Sequence, residues 1–337
     1  MHQLPNSSPW RTPFGGVLIA ALLLAGVEAV LHSDAFLYRY RSVFAAGRAM
    51  DKVLALEAQP ATVLAIGNSR VDNGIAPAVL RRETGLEAFN LGLPGAEACN
   101  LEGVVARLEA HGVFGPGRTE QVLIGLDDGY FQRVGGLGYE VWFDDRARLL
   151  DQGRHRDWLR SVVRLWGFAD SLRTLQEPAK LIRAVEASFR EVESWGGNAR
   201  HTAGFRAADE VANQDAAQID AQNSASRRPP DPEVLECFWA TTERLQAANV
   251  AVKVFFTPSL RSANAFDGDA GGPDSPYGRM KADFTARGID VLEFDVRPII
   301  AAQFFANPGH LNREGATRFT ALLSAQLGAG TRLGQGD

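Results

Sequence analysis

AIGNSRVDNG, residues 65–74, carries an apolar run into a polar turn: the run stops at Gly67, and Asn68, Ser69 and Arg70 follow. Residues 61–66 have the length and composition of a short buried strand, and residues 76–82 read as the start of a helix. Ser69 therefore stands at a strand-to-helix turn. In an open α/β sheet such turns lie at the carboxyl ends of strands, where backbone N–H groups converge and ligands bind. Asn and Ser are also good N-caps, so capping of the 76–82 helix is the structural alternative for the pair.

Further apolar runs at residues 88–91, 121–126, 250–257 and 291–294 are strand candidates. Helix-length segments lie between and after them at residues 99–111, 232–248 and 277–287, the first and last ending on Gly112 and Gly288; a final one begins near 313–316 and runs through Leu327. Apolar strands alternating with amphipathic helices predict an α/β fold with a parallel sheet covered on both faces. Residues 36–56 have helical spacing and lead into this body. The alternation stops between about residues 132 and 231, where 172–195 read as one amphipathic helix and 196–228 as a loop poor in large apolar side chains. That stretch is read as an insertion in a single domain spanning residues 32–337.

The amino terminus differs in kind. After a tail of residues 1–13, FGGVLIAALLLAGVEAVL (residues 14–31) is apolar except for Glu28. A helix of that length reaches about 27 Å, close to the hydrocarbon thickness of a bilayer, which predicts a single transmembrane anchor. A cleaved signal peptide is the alternative, with residues 17–25 as its apolar region. Arg11, Arg39 and Arg41 flank the span without orienting it. A net charge of −5 over 337 residues gives no nucleic-acid footprint. No histidine pair has ligand spacing and no glycine-rich phosphate fingerprint is present, so neither metal nor cofactor is expected. Cys99 and Cys237 fit either one disulfide in an oxidising compartment or two buried thiols.

Three further stretches carry chemistry. FFANPGHLNREGA, residues 304–316, sets His310 after an Asn307-Pro308-Gly309 turn and just before the last helix. FNLGLPGAEACN, residues 89–100, puts Gly92 and Gly95 straight after the second strand, and VLIGLDD, residues 122–128, ends the third in Asp127 and Asp128. A serine nucleophile needs a base within hydrogen-bond reach and N–H donors for the oxyanion, and His310 with the glycine loops offers both.

Together these stretches resemble the SGNH hydrolases, also called GDSL esterases and lipases. GNSR (67–70) looks like the first block with its nucleophilic serine, NLGLPG (90–95) like the second, GLDD (125–128) stands where the family has Gly-x-Asn-Asp, and NPGHLNREGA (307–316) looks like the last, Asp-x-x-His. The resemblance covers residues 61–131 and 235–327. It implies a three-layer α/β/α sandwich around a five-stranded parallel sheet, with Ser69 as nucleophile, His310 as general base and Gly95 as an oxyanion donor. An anchor joined to such a body further resembles the accessory O-acetyltransferases of exopolysaccharides and cell-wall polymers. That likeness implies an inner-membrane, single-pass protein with its main domain in the periplasm, a polysaccharide substrate and a membrane acyl-donor protein as partner.

Two positions depart from the family pattern. Asn307 stands where the aspartate that orients the histidine is expected, and Asp127 where an asparagine donates to the oxyanion. In a triad the Asp-to-Asn change costs about 10⁴ in turnover, or roughly 5.5 kcal/mol, and a carboxylate at 127 opposes a developing oxyanion. Asp128, Asp72 or Asp295 are the carboxylates that could compensate at His310. Arg70 is expected either to bind a substrate carboxylate or to pair with Asp72 or Asp128. Trp142, Trp158, Trp166 and Trp195 are candidates for stacking on a glycan. The sequence is thus read as a serine acyltransferase or esterase with reduced machinery; a non-catalytic polysaccharide-binding or scaffolding subunit is the alternative.

Overall fold

The apolar runs pair as strands β1 (Val63–Gly67), β2 (Ala88–Gly92), β3 (Gln121–Leu126), β4 (Ala251–Phe256) and β5 (Asp290–Leu292) of one parallel sheet, in the order β2-β1-β3-β4-β5. The structure, a computed structural model, describes residues 13–127, 130–133, 137–190, 196–211, 230–260 and 276–332. Gly67 lies opposite Gly92 and Ile66 opposite Ile124, so the first three strands finish level with the turn that carries Ser69. Side chains alternate across the sheet. Leu64, Ile66, Val122, Ile124 and Val254 join one apolar cluster, while Val63, Ala65, Leu123 and Phe255 join a second. Burial on both faces explains why the runs are nearly continuous in apolar character.

Before the first strand run helices α1 (Pro13–Leu31), α2 (Asp34–Arg39) and α3 (Ala45–Ala58), and between the strands α4 (Ser69–Gly74), α5 (Pro77–Thr84) and α6 (Ala98–Ala110). The insertion adds α7 (Tyr139–Phe143), α8 (Arg146–Asp151), α9 (His155–Val162), α10 (Arg164–Gly167), α11 (Ala169–Arg173), α12 (Pro178–Phe189) and α13 (Gly197–Thr202). After it come α14 (Pro232–Ala247), α15 (Pro276–Ala286) and α16 (Arg313–Arg332). Val53, Val105, Phe238 and Phe284 bring α3, α6, α14 and α15 into the first cluster; Val71, Leu80 and Phe319 bring α4, α5 and α16 into the second.

Several expectations change. Ser69 does not cap the 76–82 helix: it opens its own short helix α4, and α5 begins separately at Pro77, whose fixed φ suits a first turn. The amphipathic stretch 172–195 is divided, because Pro178 is accommodated in the first turn of α12 and not inside a continuous helix; Trp195 lies outside the described residues. Part of the expected 196–228 loop is helix α13, followed by an extended segment whose Arg206 N–H donates to Asp72 O (3.1 Å).

Residues 14–31, expected as an anchor, lie in α1, yet among the described residues no helix is long and apolar enough to cross a membrane. Glu28 ties this helix to the insertion by accepting the Arg164 and Leu165 N–H groups at 2.6 and 2.8 Å. Val17, Leu22 and Leu23 on it stay more than 60% exposed. Of the two readings left open for the cysteines, the disulfide is the one formed: Cys99 on α6 bonds to Cys237 on α14.

Candidate active site

The turn after β1 is built by close packing and one cap. Asn68 is the N-cap of α4, its Oδ1 accepting the Arg70 N–H at 2.9 Å. Gly67 has φ +156°, and a Cβ there would collide with Val71 Cγ2; a Cβ on Gly92 would collide with the Asp72 nitrogen. Both strand ends are glycine because α4 lies directly on them. Asn90, fully buried, fastens the same helix: its Nδ2 donates to Val71 O and Ile75 O, each at 2.7 Å, while its Oδ1 accepts the Gly92 N–H at 2.8 Å.

Ser69 Oγ lies 2.7 Å from His310 Nε2, and His310 Nδ1 lies 2.8 Å from Asn307 Oδ1. The histidine and the asparagine face each other across a small antiparallel hairpin, β6 (Phe305–Asn307) and β7 (His310–Leu311), that leads into α16. Asn307 Oδ1 also accepts the Gly309 N–H at 3.1 Å. A backbone N–H can only donate, so the amide presents its oxygen toward the ring. It follows that Nδ1 carries the imidazole proton and Nε2 offers its lone pair to the Ser69 hydroxyl. Burial, and then the Arg70 guanidinium, push the His310 pKa below its ordinary value of 6.5, against the pull of Asp127 and Asp72. The ring is therefore neutral near pH 7, the state a general base requires.

Two backbone N–H groups of the sequence-predicted site have no acceptor among the described residues. The Ser69 N–H opens α4 and so has no intrahelical acceptor, and the Gly95 N–H, in a loop with φ +68°, donates to no group among the described residues. Asp127, expected to oppose an oxyanion, is buried and engaged elsewhere: it accepts Asn68 Nδ2 at 2.5 Å and lies 3.5 Å from Arg70 Nε. Arg70 thus pairs with Asp127 and not with Asp72. Asp72 is taken by Lys52, whose Nζ donates to it at 2.6 Å and to Gly92 O at 2.7 Å. Asp295 is held by Arg297 at 2.8 Å, and Asp128 lies outside the described residues. Among the described residues no carboxylate hydrogen-bonds to His310.

The remaining sequence candidates are dispersed. Trp142 is buried under the Arg164 guanidinium, 4.4 Å from its ring centroid, which removes it from reach of a glycan; Trp158 is half-buried and Trp166 exposed. Sequence reasoning passed over Asn68, Asn90 and Lys52 as working parts of the site. Lys52 left no distinct signal: α3, AAGRAMDKVLALEA, also carries Arg48, Asp51 and Glu57, and only the tertiary fold brings Lys52 to Asp72. Among the described residues no cluster of His, Cys, Asp and Glu is placed to hold a metal ion. A scan against protein-family models returns no match, and a search of curated proteins returns none either.

Proposed function

We propose that this chain is an SGNH-like serine acyltransferase or esterase that acts on O-acyl groups of an extracellular polysaccharide, its sheet and two helix layers forming an α/β/α sandwich. The observation that carries the reading is the relay Ser69–His310–Asn307, hydrogen-bonded at 2.7 and 2.8 Å with the tautomer that makes His310 a base.

In this mechanism His310 Nε2 takes the Ser69 proton as Oγ attacks the acyl carbonyl, and the oxyanion receives the Ser69 and Gly95 N–H groups. The tetrahedral intermediate expels the sugar oxygen, which takes the proton back from His310. The acyl group is left as an ester on Ser69. An acceptor hydroxyl then gives its proton to His310, attacks the ester carbonyl and releases Ser69 Oγ, which is reprotonated. Water as acceptor makes the protein an esterase; a sugar hydroxyl makes it a transferase. Asn307 holds the ring in place and in the right tautomer but brings no charge to stabilise the imidazolium.

A periplasm-facing body on a membrane-attached α1 belongs to the same proposal. The exposed Val17, Leu22 and Leu23 of that helix and the Cys99–Cys237 bond, suited to an oxidising compartment, support it. Treatment of the full chain with a fluorophosphonate probe, mapped by peptide mass spectrometry, tests the chemistry. Label on Ser69 that disappears in Ser69→Ala and His310→Ala is the expected result; an unlabelled Ser69, under conditions where a serine esterase reacts fully, rejects it. The second reading, a polysaccharide-binding subunit that keeps the pocket without the chemistry, is favoured by one observation, the amide at 307.

A further inference from the structure

Beside α4 a cavity of about 900 Å³ opens between α3, the loop after β2, α12 and the segment 204–207. Its floor holds Arg48, Lys52 and Asp72, and Arg183 and Arg206 stand at its rim. Lys52 is neutralised by Asp72. Arg48 is not: its Nε is buried without a hydrogen-bond partner, and among the described residues neither it nor Arg183 nor Arg206 has a carboxylate or other acceptor for its guanidinium. Both rim arginines act on Arg48: burial and then Arg206 disfavour its charge, with Arg183 adding to the effect and Asp72 opposing it.

Elsewhere the same chain treats buried arginine differently. Arg148 and Arg154 in the insertion are matched by Glu102, Asp144 and Asp157. A buried N–H left without an acceptor, as at Arg48 Nε, is costly. A fold that supplies carboxylates to one pair and leaves Arg48 with two cationic neighbours and no acceptor leaves that acceptor to come from outside.

We propose that this cavity is a subsite for a multiply charged oxyanion, carboxylate or phosphate groups borne on a bound molecule, with Arg48 as its deepest contact and Arg183 and Arg206 as its rim. The cavity shares α4 with the candidate nucleophile: Asp72 lines it, and Ser69 stands three residues earlier, within one helical turn. That the anion belongs to the molecule whose acyl group meets Ser69 rests on the acyl-transfer reading above; the binding of the anion does not.

Titration calorimetry on the full chain tests the proposal with three probes, a hexagalacturonate, inorganic tripolyphosphate and neutral maltohexaose. Binding of either anion, weakened about tenfold in Arg48→Gln or Arg206→Gln and by added salt, with no binding of maltohexaose, is the expected result. The stronger of the two anions identifies the source as acidic sugar or phosphate. Equal binding of maltohexaose, or anion binding that survives both substitutions, overturns it, as does an absence of anion binding. Arg206 is exposed, so its variant reports on the site even if Arg48→Gln fails to fold. Ser69→Ala keeps the separate readings apart: loss of probe labelling with anion binding intact leaves the subsite standing, and an unlabelled wild type that still binds the anion rejects the chemistry alone.

Discussion

Two clusters of different electrical character meet at helix α4. Toward the β6–β7 hairpin, Ser69, His310 and Asn307 form a relay without a formal charge. Toward α3, the Lys52–Asp72 pair is buried in the core and Arg48 and Arg206 lie beyond it in cationic excess. The base lacks a counter-ion, while the cavity that shares the nucleophile's helix is cationic. A positive field favours an oxyanion and disfavours an imidazolium, so the cationic cluster acts in opposite senses on the two charges of one transition state.

The largest test of this contrast is to give the relay the charge it lacks. In Asn307→Asp turnover of a p-nitrophenyl ester is expected to rise by up to about 10⁴-fold, the inverse of the loss known for triads; an unchanged rate would mean that charge at His310 does not limit the reaction. Breaking the other cluster comes next. Lys52→Met strands the Asp72 carboxylate in the core and is expected to cost about 3–5 kcal/mol in urea unfolding.

A pH profile sharpens the comparison further. The base works only when neutral, so kcat/KM falls as pH drops through the His310 pKa, and the acid limb is expected below the ordinary 6.5 because burial and Arg70 hold that value down. In Asn307→Asp the limb moves up, since a carboxylate favours the imidazolium; a limb that stays put would place the titration on another group. The smallest effect is expected at Arg206→Gln, within about 0.5 kcal/mol of wild-type stability, because the side chain is exposed and, among the described residues, unpaired. A loss of several times that size would make Arg206 structural and remove the asymmetry.

Much of this arrangement was legible in local pattern. The strand ends were readable because two-sided burial leaves unbroken apolar runs, and Gly67, Gly92 and the Asn307–Gly309 turn mark where the chain must pass close or bend. What the sequence hid was tertiary. Asp127 looked hostile to an oxyanion until Asn68 and Arg70 were seen to hold it, and the bond from Asn68 joins residues 59 positions apart. Lys52 and Arg48 sit on a helix read only as a lead-in, and Arg206 on a stretch read as loop, because nothing in periodicity reveals which charged side chains a fold will gather. The cysteine pairing was undecidable for the same reason: Cys99 and Cys237 are separated by 138 positions.

That bond reroutes the molecule's connectivity. Ser69 and His310 stand 241 positions apart along the chain, with the whole insertion between them. The bridge from α6 to α14 opens a second covalent route that leaves the insertion out. A protease that nicks the insertion therefore yields two polypeptides and still one molecule, with nucleophile and base tethered through sulfur; only a reductant parts them. The insertion is a detour, and it can be cut, lengthened or exchanged without severing the two halves of the site.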